Sequence, residues 1–168
     1  MSADTREKPL SRRHVQRAVE EDLLVYRTLR EESSRVQVER LQKRHFGTMT
    51  DVFSSLDRCS GRVLVCLLDR TVIGYQAFEP AASRGNPFSR ELMVMRLTFI
   101  VVREDSRVRA RHLGIGTELV RKTLDLAWDR GYDAVYTYAT AYELMLKAGL
   151  RPHGGEEVLE EAKYVRDF

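Results

Sequence analysis

Apolar positions change their spacing partway along the chain, and the change divides it into a helical first third and a β-rich remainder. From about Ser11 to Glu32, Leu23, Leu24, Tyr26 and Leu29 punctuate a charged stretch, which predicts a helix. Ser33 or Ser34 is placed to cap a second helix carrying Val36, Val38 and Leu41 and stopping at Gly47. Thr50 is placed to cap a third, short helix through Val52, Phe53 and Leu56, ending near Gly61. Short apolar runs rich in β-branched residues follow. Arg62 to Leu68 (RVLVCLL) and Val72 to Phe78 (VIGYQAF) predict two strands, and the link between them is short enough for a hairpin. Glu79 to Arg90 holds two prolines and a glycine among small residues, which predicts a loop. Leu92 to Val102 (LMVMRLTFIVV) predicts a long central strand, and an arginine-rich loop runs from Arg103 to Leu113.

A helix is predicted to begin near Gly114. Ile115, Leu119, Val120, Leu124, Ala127 and Trp128 fall on one face at helical spacing, which places Trp128 in the core, and Gly131 ends the helix. Asp133 to Thr140 reads as a strand, Ala141 to Ala148 as a short helix stopped by Gly149, and Val158 to Val165 as a last strand. Helices followed by β-β-β-α-β-α-β predict an α/β (α+β) fold, a sheet with helices on its faces. No repeat or linker interrupts the 168 residues, so a single domain over 1–168 is expected.

Charge narrows the function classes. Lysine and arginine total 28 against 25 aspartate and glutamate, a formal net charge of +3, and most of it is mixed in sign as on a solvated surface. Arg103, Arg107, Arg109, Arg111, Arg121 and Lys122 cluster around Gly114, opposed by Glu104, Asp105 and Glu118. No aromatic residues interleave with them, which argues against a nucleic-acid surface and for contacts with phosphates of a small ligand. His14, His45, His112 and His153 show no metal-ligand spacing, so no metal is expected. Cys59 and Cys66 form no Cys-x-x-Cys pair and read as reduced thiols of a cytoplasmic protein, with Cys66 in the core. No apolar run approaches the ~18 residues of a membrane span, and Met1 to Pro9 has no apolar signal region.

The chemistry-bearing stretch is Arg111-His112-Leu113-Gly114-Ile115-Gly116-Thr117, between the long strand and the amphipathic helix. Two glycines so spaced let backbone approach a ligand, and the first helical turn offers unpaired N–H groups and the positive dipole end. That combination suits a phosphate or pyrophosphate, with Arg111 adding charge-assisted contacts. The glycines alone are equally consistent with close packing of helix on sheet. A Rossmann fingerprint is a poor fit, because Leu119 stands at its third glycine, and no Gly-Lys-Ser/Thr follows to make a Walker loop.

Arg111-x-x-Gly114-x-Gly116 resembles the acetyl-CoA loop of the GNAT N-acetyltransferase superfamily, Arg/Gln-x-x-Gly-x-Gly/Ala. Val63 to Phe78 with Gly74 looks like the family's second and third strands, and Leu92 to Val102 like its fourth. Ala141, Leu144, Lys147, Gly149 and Leu150 look like its short last helix. The resemblance covers roughly Gly61 to the C-terminus. It implies a mixed, mostly antiparallel central sheet with helices on both faces, splayed at a β-bulge between strands four and five. Residues 61–168 would then form the coenzyme A-binding core and 1–60 a helical wall of the acceptor site.

The activity the resemblance implies is transfer of an acetyl or other acyl group from acetyl-CoA, as co-substrate, to a primary amine of a small molecule or peptide by direct attack. A catalytically weak acyl-CoA-binding or regulatory domain is the alternative, and a homodimer is left open. Backbone near Val101, Val102 and Arg103 would bond the pantetheine. N–H groups of Leu113, Gly114, Ile115, Gly116 and Thr117, beside Arg111 and His112, would hold the pyrophosphate. The last helix, with Tyr142 and Met145, would complete the cofactor site. Many relatives use a glutamate on or near the fourth strand as base; here the candidates are Glu79 and Glu91, while the strand interior carries Arg96 and Thr98. The family's general acid, a tyrosine, falls on Met145, which carries no proton to give, and a frequent asparagine falls on Tyr138. Tyr138 or Tyr142 is the candidate replacement.

Overall fold

Strands from both halves of the chain assemble into one seven-stranded sheet. The computed structural model describes residues 9–47, 50–81, 93–138, 142–152 and 164–168. The elements are α1 (Arg12–Glu20), β1 (Val25–Thr28), α2 (Glu32–Phe46), a 3-10 turn (Asp51–Phe53), α3 (Leu56–Cys59), β2 (Val63–Leu68), β3 (Thr71–Pro80) and β4 (Val94–Val102). There follow α4 (Ile115–Asp129), β5 (Ala134–Thr137), α5 (Tyr142–Ala148), β6 (Arg151–Pro152) and β7 (Tyr164–Asp167). The sheet order is β1-β2-β3-β4-β5-β7-β6. Only β4 and β5 run parallel, so the sheet is mixed and mostly antiparallel, as the resemblance implied.

Helices cover both faces. Val15 of α1, the apolar stripe Ile115, Leu119, Val120, Leu124 and Ala127 of α4, and Met145 and Ala148 of α5 share one core with Ile73, Phe78, Met95 and Leu97. On the other face Val38 and Leu41 of α2, Phe53 and Cys59 pack on Val63, Val65, Leu67, Tyr75 and Val101. Gln37 ties α2 to the β2–β3 hairpin. Its amide nitrogen donates to the Arg70 carbonyl at 3.0 Å, and its oxygen accepts from the Val72 N–H at 2.8 Å.

The first third departs from the all-helical reading. The helix expected over Ser11 to Glu32 stops at Glu20; Asp22 takes φ 55°, outside the helical region, and Val25–Thr28 leaves as a strand. These four residues are β-branched or aromatic except Arg27, and the β2 edge offers them a full antiparallel ladder. The second helix begins at Glu32, ahead of Ser33 and Ser34, with Glu31 at the cap position and Ser34 buried. Thr50 precedes only a 3-10 turn; Ser55 caps the following helix by accepting from the Arg58 N–H.

Strand β3 extends through Glu79 and Pro80, two residues into the expected loop; the rest of that loop from residue 82, with Glu91 and Leu92, lies outside the described residues. Thr140, Ala141, His153 and the expected start of the last strand at Val158 also lie outside them. Trp128 is not core. It is 63% exposed and packs edge-on against Phe168, with ring centroids 5.7 Å apart.

The arginine-rich loop after β4 is organised by Asp105. Its carboxylate accepts from Arg103 Nε at 3.0 Å, from Arg44 at 3.0 Å and from the N–H groups of Arg107 and Val108. Burial raises the carboxyl's pKa, but the Arg103 hydrogen bond and the two N–H donors together outweigh it and hold the group at about 2. A carboxyl whose folded value is depressed stabilises the fold above its unfolded value and loses that contribution as pH falls. Wild-type protein should therefore lose about 2 kcal/mol as pH falls from 4 to 2 that Asp105→Asn does not lose, measured by urea unfolding across that range.

Gly74 carries a tighter constraint. A Cβ there would meet the Val101 carbonyl oxygen at 2.8 Å and Leu119 Cδ1 at 3.2 Å. The carbonyl is backbone and yields only by moving β4. Gly74→Ala should cost about 2 kcal/mol, lowering Tm by roughly 6 °C in a calorimetric scan.

Candidate active site

The site is built around β4. Opposite β3, Gln76 faces Ile100 and Phe78 faces Leu97, so one residue of β3 spans two of β4 and the bulge falls at Thr98–Phe99. The buried Gln76 amide donates to the Phe99 carbonyl at 2.9 Å, which fixes the bulge. On the other side, among the described residues, β5 pairs with β4 from Val94 to Leu97, while β4 continues to Val102. A groove lies along the second half of β4.

The groove has a volume of about 780 Å³. Ile100, Val101 and Val102 line it on β4, Gly114, Ile115, Gly116 and Thr117 on the turn into α4, and Leu144 and Lys147 on α5. Ala110, Arg111, His112, His45, Phe46 and the carboxylate-bearing Glu143 complete its rim. His112 and Gly114 take φ 64° and 83°, left-handed values that bend the chain sharply into α4. A Cβ on Gly116 would meet Leu144 Cδ1 at 2.8 Å and Val102 Cγ2 at 3.5 Å, so the missing side chain lets α5 and β4 pack closely against the first turn of α4. Burial, then the charges of Arg111 and Arg44, push the His45 imidazole below its usual pKa, so it adds little positive charge near neutral pH.

Several expected cofactor residues make contacts within the protein or fall outside the groove lining. Arg103 is 4% exposed; its N–H bonds the Ile73 carbonyl and its guanidinium bonds Asp105 and the Val72 carbonyl, so it holds the sheet to the loop. Arg111 Nε donates to the Val102 carbonyl at 3.2 Å, engaging a second group expected to meet pantetheine. Leu113 lines a separate cavity with Tyr26, Glu118 and Lys122. Met145 is 1% exposed in the core beneath the groove, because α5 turns Leu144 and Lys147 outward in its place. Tyr142 opens α5. The basic cluster is likewise divided: Lys122 stands over the Tyr26 ring, Arg121 pairs with Glu118, and Arg107 shares a cavity with Arg40 and Arg44.

A second cavity, of about 440 Å³, lies at the other end of β4. Thr50, Val52 and Phe53 form one wall, and Ala77, Phe78, Leu97, Thr98 and Phe99 form the floor. Its charged groups are Glu79 and Arg96, and Tyr138 adds a phenol beside the hydroxyls of Thr50 and Thr98. The structure thus brings together the two residues singled out as catalytic candidates, with Arg96 between them. Arg96 is ion-paired with Glu79 across the strands and stands 5.6 Å above the Tyr138 ring. The Phe46 and Phe99 rings, 4.8 Å apart, mark the boundary between cavity and groove.

Sequence reasoning did not find His45, Phe46, Thr50 or Phe53, which reach β4 only through the packing of α2 and the 3-10 turn. Among the described residues, no group of three His, Cys, Asp or Glu side chains is placed to hold a metal. No described helix is long and apolar enough to cross a membrane. Both cysteines are buried thiols, and burial pushes Cys66 up to about 12 and Cys59 up to about 11.

This arrangement is the GNAT acetyltransferase fold. A GNAT family N-acetyltransferase from Escherichia coli in complex with CoA matches with a TM-score of 0.58 and 22% identity, over 86% of this chain and 81% of that one. Arabidopsis thaliana NAA60 in complex with acetyl-CoA matches with a TM-score of 0.61 and 14% identity, over 84% and 96%. An aminoglycoside acetyltransferase from an uncultured soil metagenomic sample, in complex with sisomicin, matches with a TM-score of 0.58 and 19% identity, over 82% and 93%. No protein-family model matches the chain, and no curated protein matches it by sequence.

Proposed function

We propose that the chain is an acyl-CoA-dependent N-acyltransferase, with acetyl-CoA as donor and a primary amine as acceptor. The observation that carries this reading is the pair of cavities end to end along β4, bounded from each other by the Phe46 and Phe99 rings. The groove residues fit a coenzyme A. Gly116 lets Leu144 of α5 pack directly on the turn into α4, the first turn of α4 presents N–H groups to the groove, and Arg111 and Lys147 supply positive charge at its rim against the one carboxylate of Glu143. Acetyl-CoA, when bound, supplies an activated thioester.

The protein's own groups then do three things. The β4 edge beyond Leu97, which has no strand beside it among the described residues, offers backbone N–H groups toward the carbonyl oxygen that gains charge. Glu79, in the acceptor cavity, accepts the proton that an alkylammonium must lose, since such a group has a pKa near ~10.4. The amine lone pair forms the C–N bond as the C–S bond breaks. Tyr138 is the hydroxyl in the cavity that can return a proton to the leaving sulfur, a task Met145 cannot perform from the core. Holding both reactants in adjoining cavities supplies much of the acceleration.

Calorimetric titration with acetyl-CoA and with coenzyme A tests the donor half. Micromolar binding is expected, and no binding to either overturns the reading. A panel of primary amines with thiol release as readout then tests transfer. Tight acetyl-CoA binding with no turnover on any amine would favour the acyl-CoA-binding domain, which the apolar Met145 at the family's tyrosine position also favours.

A further inference from the structure

The acceptor cavity exposes both members of an ion pair. Glu79 and Arg96 are opposed in the β3–β4 register and bonded to each other, and both line the cavity. Their side chains keep 30% and 35% of their surface, so a solute reaches either one. A pair this exposed is weakly stabilising, and exchanging partners with a ligand costs little. The remaining described walls are mainly apolar: Val52, Phe53, Phe78, Leu97, Phe99 and the Tyr138 ring. Thr50 also lines the cavity, and its buried hydroxyl has no hydrogen-bond partner among the described residues.

We propose, building on the acyltransferase reading, that the acceptor is a free α-amino acid with an apolar or aromatic side chain. Its amino group faces Glu79, its carboxylate pairs with Arg96, and its side chain lies among Phe53, Phe78 and Phe99. Charge balance selects this class. Among the described lining residues, one carboxylate and one guanidinium leave no net charge, which matches a zwitterion at both poles. A polyamine or aminoglycoside brings several cations to a single carboxylate already faced by Arg96. An internal lysine or a protein N-terminus brings no carboxylate near its amine and leaves Arg96 paired only with the group that must take the proton. A cavity of about 440 Å³ is within the range of small-ligand sites.

The test is calorimetric titration of the coenzyme A-saturated protein with phenylalanine, phenylalaninamide and phenethylamine, together with acetyl transfer to each. Phenylalanine should bind about 10- to 100-fold more tightly than the other two, the effect of one charge-assisted contact. Arg96→Gln should abolish that preference. If the amide or the amine binds as well as the amino acid, or if none binds, the substrate class is wrong while the acyltransferase reading stands on acetyl-CoA binding and turnover elsewhere. If acetyl-CoA does not bind, both fall. The three-ligand comparison on wild-type protein decides the matter even if the Arg96 variant does not fold.

Discussion

Replacing Gly114 and Gly116 together by leucine should reduce acetyl-CoA affinity at least ~100-fold while leaving the sheet intact. The two glycines act differently. Gly114 has φ 83° and no atom within 4 Å of an added Cβ, so leucine there strains the backbone without a clash. That strain is of order 1 kcal/mol and lowers Tm by only about 2–4 °C. At Gly116 the added Cβ meets the tip of Leu144, which can rotate, but it rotates within the groove that pantetheine would occupy. The double variant therefore strains the turn at Gly114 and crowds the groove at Gly116, and near-ultraviolet circular dichroism with a thermal melt reports that the core survives. Titration shows the loss of binding. Unchanged affinity in a folded variant would remove the donor from this groove and with it the reason to look for transfer.

Why those glycines were legible in the sequence and other parts were not has a physical basis. A turn that needs left-handed backbone and close approach leaves a local mark, and Gly114 and Gly116 carry it. The stripe of α4 is equally local, because Ile115, Leu119, Val120, Leu124 and Ala127 face one core. Trp128 follows the same stripe in sequence, yet the helix ends one residue later, beyond the edge of the sheet, and its ring stays outside with Phe168. Strand β1 left a conflicting mark. Leu23, Leu24, Tyr26 and Leu29 fit a helical face, but Tyr26 packs on the α4 core and Leu29 on the α2 core, one on each side of the sheet. That division follows from pairing with β2, which is 35 or more residues away along the chain.

The site shows the same limit. Glu79 and Tyr138 are 59 residues apart, and only the register of β3 on β4 and of β4 on β5 sets them around Arg96. In the sequence Arg96 is a charged residue inside an apolar run; in the fold it is the cross-strand partner of the candidate base. Arg103 reads as one member of a cationic loop, but its burial against Asp105 and Val72 turns it into a structural tie. Charge counts along the chain do not separate these two roles, because burial decides between them.

Glu79→Gln should lower kcat about 100-fold or more for any accepted amine, with acetyl-CoA affinity unchanged. The substitution keeps the size and a hydrogen-bonding oxygen for Arg96 but removes the negative charge that takes the amine's proton. Because Glu79 lies in the acceptor cavity and is absent from the groove lining, donor binding has no reason to change. The pH profile distinguishes a base from a merely structural partner of Arg96. With the base removed, transfer depends on the free-amine fraction alone, so the rate should climb with pH toward the amine's own pKa and approach the wild-type rate there. A structural role predicts a constant deficit at every pH, together with a lower melting temperature as Arg96 loses its charged partner. A variant that keeps full activity at neutral pH would move the base out of this cavity.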